Sequence, residues 1–176
     1  MAVLKRKREQ SQFEVIKHFY RLRYEITDLL LRDFGYNPKK AEERLRRMFG
    51  GKSYDELDES QREHYKKREN RNRGFEEWFI GYQRDTVMNC LQKATEYIFS
   101  ANSIYPTNVT EYERRRMFQN EAIGQCYRLL QEFQYTVEIL PVDLNKYSRF
   151  ISGVEKEIQL LKGWRKADNK FKKLVS

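Results

Sequence analysis

The chain has 176 residues, with 35 Lys and Arg against 26 Asp and Glu, a formal net charge of +9 and 35% charged residues. That length supports one domain with a core of its own, and no apolar run approaches the ~20 residues that a membrane-spanning helix needs. A surplus of this sign and size favours a polyanionic partner, while two cysteines, Cys90 and Cys126, are too few for a disulfide-built scaffold.

The opening "MAVLKRKREQ" is basic through Lys5, Arg6, Lys7 and Arg8 but has no apolar stretch behind it, so it reads as a loose arm and not as a secretory signal. A helical pattern starts near Ser11. Phe13, Ile16, Tyr20, Thr27, Leu31 and Phe34 recur at spacings of three, four and seven. Gly35 suits the left-handed position that ends a helix.

Residues 36–73 differ in character. Asn37-Pro38 is a cap followed by proline in the first turn, and a short helix follows with Ala41, Leu45, Met48 and Phe49 on one side. Gly50-Gly51 ends it. "SYDE" and "SQRE" each offer a capping box, and "REHYKKRENRNRG" is almost wholly polar, a solvated helix or a flexible lead-in. The stretch is expected to be an insertion between two core helices.

A long helix is predicted from Gly74, with Ile80, Val87, Leu91, Ala94, Ile98 and Ala101 as its stripe, widened by Phe75, Phe79 and Tyr82. Pro106 in "ANSIYPTN" cannot continue it. The box "TEYE", Thr110 to Glu113, opens a third core helix whose stripe is Phe118, Ala122, Cys126, Leu129, Phe133, Val137 and Leu140. "LPVD" breaks it and Asp143 caps the last helix, whose stripe Leu144, Tyr147, Ile151, Val154, Ile158 and Leu161 alternates steps of three and four, close to a heptad seam. No segment alternates like a strand. The expected fold is all-α, an up-down-up-down four-helix bundle with core helices at about 11–35, 74–102, 111–140 and 144–165, a helical insertion at 36–73 and a basic tail at 167–176.

Sites for chemistry are scarce. The histidines are His18 and His64, and neither they nor the cysteines have ligand-type spacing, so no metal and no cofactor is expected. Cys90 and Cys126 fall on helix faces, where small buried thiols of a reducing cytoplasm are expected and a disulfide is the alternative. Helical ribonucleases that place Arg four to six residues before His have no counterpart here. Glu155 and Glu157 lie two apart and so point to different faces of a helix. No catalytic residue is assigned.

What remains is charge interleaved with aromatics. "YERRRMFQ" puts Arg114, Arg115 and Arg116 in the opening turns of the third helix, where three consecutive residues span about 200°, so at most two can face one partner. They bind phosphate through the planar guanidinium fork, or Arg115 pairs with a carboxylate while the outer two are solvated. The end "KGWRKADNKFKK" adds Lys162, Arg165, Lys166, Lys170, Lys172 and Lys173 against Asp168. Such a tail gains from releasing counterions along a phosphate backbone. Gly163 and Trp164 mark the change from packing to charge: Gly163 is expected to let the last turn approach a neighbouring helix, and Trp164 to cover the bundle end or a subunit seam.

Three stretches taken together, "ANSIYPT", "EYERRRMFQNEAIGQCYRLLQE" and "LLKGWRKAD", resemble the small bacterial four-helix bundles encoded in 23S rRNA intervening sequences. Their best-understood relatives are the accessory variability determinant proteins of diversity-generating retroelements. The resemblance covers roughly 74–170 and 11–35. It implies a non-enzymatic cytoplasmic protein that forms a homo-oligomer, a five-fold barrel in the family. It also implies binding to nucleic acid (RNA, DNA or both) and to a reverse transcriptase. By matching, Arg114, Arg115 and Arg116, with Arg165 and Lys166, would face those partners. Two other readings of the residues stay open at this point: an oligomeric protein-interaction module with no nucleic-acid role, and a ribonuclease.

Overall fold

Helix starts follow side-chain caps. Asn37 accepts from the Lys39 N–H at 3.1 Å ahead of Pro38, Asp58 accepts from Gln61, Asn108 from Glu111 and Asp143 from Asn145. The computed structural model describes residues 2–171, with side chains from residue 14 onward. Within that range the chain is all-helical: α1 (Ala2–Leu31), α2 (Pro38–Met48), α3 (Glu59–Ser103), α4 (Val109–Ile139) and α5 (Leu144–Ala167), with short 3-10 turns at Asp33–Gly35 and Tyr54–Glu56. No described helix is long and apolar enough to cross a membrane.

Three boundaries differ from expectation. The backbone of the basic opening is helical and continuous with α1, not a loose arm. The "SYDE" box exists, with Ser53 and Glu56 bonded reciprocally, but it closes only a 3-10 turn. The box that starts α3 is Asp58 with Gln61, two residues ahead of "SQRE", and from it the helix runs unbroken through the polar stretch and past Gly74. Of the two alternatives for that stretch, the structure shows the solvated helix. At 45 residues α3 is about 68 Å long.

Four helices share one core. α3 packs on α4, α4 on α5, α5 on α1 and, more lightly, α1 on α3. Contacts across each seam descend on one helix as they ascend on the other: Gln83 meets Glu132 and Arg115 meets Ala101, while Arg116 meets Asn169 and Arg165 meets Asn120. His18 meets Glu157, Leu22 meets Gly153, Arg23 meets Thr95 and Arg84 meets the Leu30 carbonyl. The α3 stripe is buried as read, and so are Ala122, Cys126, Leu129, Phe133 and Leu140. The α1 stripe is largely displaced by one position, while on α5 Tyr147, Val154, Ile158 and Leu161 are buried as read. On α1 the buried set is Val15, Phe19, Leu22, Ile26, Leu29 and Leu30, while Leu31 is 78% exposed and Tyr20 lies outside. On α5 Phe150 is buried where Ile151 was expected, and Leu144 is exposed. At Phe19-Tyr20, Leu30-Leu31 and Phe150-Ile151 two apolar residues are adjacent, and only the neighbouring helix decides which one faces in.

Between α1 and α2 the chain makes a left-handed turn: Asp33, Phe34 and Gly35 all have positive φ, at 50°, 60° and 72°. That backbone costs a non-glycine residue of order 1–3 kcal/mol. The turn is held on three sides. Phe34 is fully buried, its carbonyl accepts from the Tyr147 hydroxyl at 2.8 Å, and Asp33 pairs with Arg84. The segment beyond it builds a satellite core of Leu45, Leu57 and Tyr65 with Phe49 and Tyr54, which clasps α2 to the opening turns of α3. A cleft of about 440 Å³ lies beside it, lined among others by Tyr36, Glu69 and Glu76.

Candidate nucleic-acid interface

The three consecutive arginines of α4 are sent in three directions. Arg114 is exposed, with its guanidinium 5.8 Å from the Phe118 ring, which itself stacks on Tyr97 of α3. Arg116 leans towards the end of α5, donating to the Tyr112 hydroxyl one turn back on α4, to Asn169 Oδ1 at 2.8 Å and to the carbonyl of Arg165. Arg115 points inward.

Arg115 is 2% exposed, and this corrects its assignment to the interface. Its Nε donates to Asp168 Oδ2 at 2.6 Å and a terminal nitrogen to Oδ1 at 3.3 Å. The other terminal nitrogen donates to the carbonyls of Ala101 and Ile104 at the end of α3, at 2.9 and 2.6 Å. Those carbonyls have no partner within the helix and carry the negative end of its dipole, so a cation there serves twice. Gln119 donates a further 2.6 Å bond to Asp168 Oδ2. Trp164 lies 5.0 Å from the guanidinium and Phe171 5.8 Å, with Phe171 in turn against Tyr105. The guanidinium is spent on closing one end of the bundle and has no face left for a phosphate.

Trp164 is therefore a core residue, buried beside Leu161 and Arg115. Gly163 does not do what was expected of it: it is exposed, and a Cβ there would meet nothing within 4 Å. The close approach is at Gly153, where a Cβ would lie 2.8 Å from Leu22 Cδ1. The tail also differs from a free basic extension, since Asp168 and Phe171 are buried and anchor it as far as residue 171. Lys172 and Lys173 lie outside the described residues.

The remaining cations gather along the α4–α5 seam and the end of α5. Lys162 donates to the Tyr127 hydroxyl at 2.7 Å, and Arg165 to Asn120. Lys166 and Lys170 are exposed, one and two turns beyond Lys162. With Asp168 neutralised inside, the acids near this edge on α4 are Glu113 and Glu121, both exposed. The arrangement offers a row of ammonium and guanidinium groups, spaced at about one helical turn, to a polyanion.

One polar pair went unread in the sequence. His18 Nδ1 of α1 lies 2.6 Å from Glu157 Oε2 of α5, and Glu157 is fully buried. The contact has ion-pair geometry, yet burial disfavours charge on both partners. Desolvation pushes the Glu157 carboxyl up to about 8, against a smaller opposing pull from Lys156, and burial with the nearby Lys156 and Arg21 lowers His18 below its usual value. Burial therefore favours the uncharged forms of both partners, whose hydrogen bond needs one proton between Oε2 and Nδ1. Glu157 Oε1 has no hydrogen-bond partner. The thiols of Cys126 and Cys90 are also raised by burial, and both cysteines are free. The signal for Glu157 was present: it falls three residues after Val154 and four before Leu161, on the buried stripe. Among the described residues no group of three or more His, Cys, Asp and Glu is placed to hold a metal ion.

Comparison with models of protein families, with curated proteins and with solved structures finds no match to this chain.

Proposed function

We propose that the protein is a non-enzymatic nucleic-acid-binding accessory protein, built as an up-down-up-down four-helix bundle, that holds a phosphate backbone along the α4–α5 edge. The opposed order of contacts across each helix seam supports the bundle. The observation that carries the function is the sorting of charge. Among the described residues the one arginine–carboxylate pair at that end is buried and self-neutralising, while Arg116, Lys162, Arg165, Lys166 and Lys170 stay at the surface. Cations in that position contribute through counterion release, which is strong, salt-dependent and indifferent to sequence. The resemblance of the last two helices to the retroelement accessory proteins extends the proposal to a reverse transcriptase as protein partner.

A second reading concerns assembly. Tyr20 and Phe99 pack edge-on at 6.2 Å on the outer face of α1 and α3, and Tyr20, Tyr24 and Phe99 are all exposed. Exposed aromatics in a cluster favour a protein contact, so a homo-oligomer is proposed through this face, with five subunits by the resemblance. Binding of labelled mixed-sequence RNA and duplex DNA, followed by anisotropy across a salt series, tests the main proposal. Weakly sequence-dependent binding that falls steeply with salt is expected, and an intact protein that binds neither polymer at low salt would overturn it.

A further inference from the structure

Trp78 is 60% exposed, although it sits mid-helix in α3 with aromatic neighbours on either side. Arg68, Arg71, Phe75, Trp78 and Tyr82 follow one another at steps of three, four, three and four, and all five are exposed. That spacing keeps them on one face of the helix. Trp78 is stacked on Tyr82, with ring centroids 5.6 Å apart and planes at 14°, and lies 5.7 Å from Phe75. Steps of three and four set these side chains about 4.5 to 6 Å apart along the axis. Of Phe75, Phe79 and Tyr82, all expected to widen the core stripe, Phe79 does so and the other two are left outside.

The charges around the stripe decide what it fits. Neither Arg68 nor Arg71 makes an ion pair among the described residues. Of the carboxylates close in sequence, Glu77 pairs with Arg73 at 3.8 Å, Glu76 accepts from the Tyr36 hydroxyl at 2.7 Å, and Glu69 lines the cleft beside Tyr36. Asp85, the next position on the face, ends the stripe on an acid. A purely apolar partner would cover two guanidinium groups without supplying a counter-charge, and burying unpaired charge is costly. A strand of unpaired nucleotides supplies both complements at once: phosphates for the arginines and base faces for the rings.

We propose that this stripe is a stacking platform for single-stranded nucleic acid, with Arg68 and Arg71 on phosphates and Phe75, Trp78 and Tyr82 against unpaired bases. The proposal rests on the nucleic-acid reading above for its ligand class and adds a second, structurally separate contact. A duplex keeps its base faces covered and reaches the arginines alone, so the platform discriminates single strands from duplexes while the α4–α5 edge does not.

The test uses the full chain with an oligothymidylate and a blunt DNA duplex of equal length. Trp78→Ala with Tyr82→Ala should weaken oligothymidylate binding by about fivefold or more, since each stacked base carries at least that much, and leave duplex binding unchanged. Oligothymidylate should quench tryptophan emission in the natural protein and fail to do so in Trp78→Phe, because Trp164 is buried. Should the double alanine variant lose its cooperative melt, Arg68→Gln with Arg71→Gln decides instead, and should flatten the salt dependence for oligothymidylate. Unchanged oligothymidylate affinity in the α3 variants, with both polymers weakened by Lys162→Gln, Lys166→Gln and Lys170→Gln, overturns the platform and keeps the α4–α5 edge. The reverse pattern keeps the platform and removes the edge. Unchanged oligothymidylate affinity together with a smaller sedimenting mass would assign the stripe to a second copy and overturn the proposal.

Discussion

Two buried polar pairs tie α5 to its neighbours, and they are built to opposite rules. Arg115 and Asp168 are both inside, yet the guanidinium makes two bonds to the carboxylate and two to carbonyls, and Gln119 adds another bond to Asp168. His18 and Glu157 share a single contact, and one carboxyl oxygen has none. Charge survives burial where donors and acceptors surround it, and is given up where they do not. The first pair is a charged keystone for the end of the bundle that also presents the surface lysines. The second is a neutral pair whose protonation is coupled to folding.

The largest expected effect is on the keystone. Asp168→Ala should cost about 3–5 kcal/mol, because it leaves a buried guanidinium without its counter-charge, and thermal or urea denaturation would show it. Arg115→Met made together with Asp168→Ala should cost clearly less than the two single changes summed, since the penalty belongs to the orphaned partner. Trp164→Ala belongs to the same unit and should cost about 3–5 kcal/mol. Additive losses would mean that the pair is not coupled. Truncation before Asp168 should destabilise the protein similarly, since it removes an anchor as well as tail lysines.

The second pair should respond to pH where the first does not. The Glu157 carboxyl is raised from 4.5 to about 8 in the folded protein, so folding holds its proton more tightly than the unfolded chain does. Its contribution is complete below about 4.5 and is lost as pH rises through about 8. His18 is lowered from 6.5, so its contribution is present above 6.5 and lost as pH falls through its folded value. Below 6.5 the two trends oppose. Between 6.5 and about 8 only Glu157 acts, and stability should fall by about 1.4 kcal/mol per pH unit. Glu157→Gln keeps a neutral donor to Nδ1, so it should change stability little at pH 6.5 and abolish the decline above it. A decline that persists in Glu157→Gln would place its source elsewhere.

Smaller effects sharpen the contrast through the glycines. Gly153 and Leu22 lie one turn from Glu157 and His18 on the same seam. Gly153→Ala forces the end of the Leu22 side chain to shift, an overpacking cost of about 1–3 kcal/mol offset in part by the helix propensity gained, about 1 kcal/mol. By parting α1 from α5 it should also hydrate Glu157 and shallow the decline with pH. Gly163→Ala meets open space on an exposed helix face and should be neutral or stabilising by up to about 1 kcal/mol.

Legibility in the sequence followed the type of signal. Helices were visible because periodicity and caps are local: Asn37-Pro38, Asp143 and the α3 stripe sit where the sequence put them. The inward position was lost where two apolar residues adjoin, as at Phe150-Ile151, because helical phase there depends on the partner. The length of α3 was lost because its polar half has no stripe, and its stability comes from Tyr65 packing on residues of α2 and the loop after it. At the candidate site the run of basic residues was plain, but not their sorting. The pairing of Arg115 with Asp168 spans 53 positions, and no local pattern announces it. Gly163 drew attention by standing next to Trp164, whereas Gly153 carries the close contact without any neighbouring mark.

The division of labour between buried Arg115 and the exposed cations is tested most directly by the salt dependence of binding. Lys162→Gln, Lys166→Gln and Lys170→Gln are made together in the full chain, and affinity for a single-stranded RNA is followed by anisotropy as salt is raised. Each phosphate neutralised contributes about −0.7 to the slope of log K against log salt for single strands. The slope is expected to be shallower by about 2, with the melting curve unmoved because Arg115, Trp164 and Asp168 are untouched. An unchanged slope on an intact fold would contradict that division of labour.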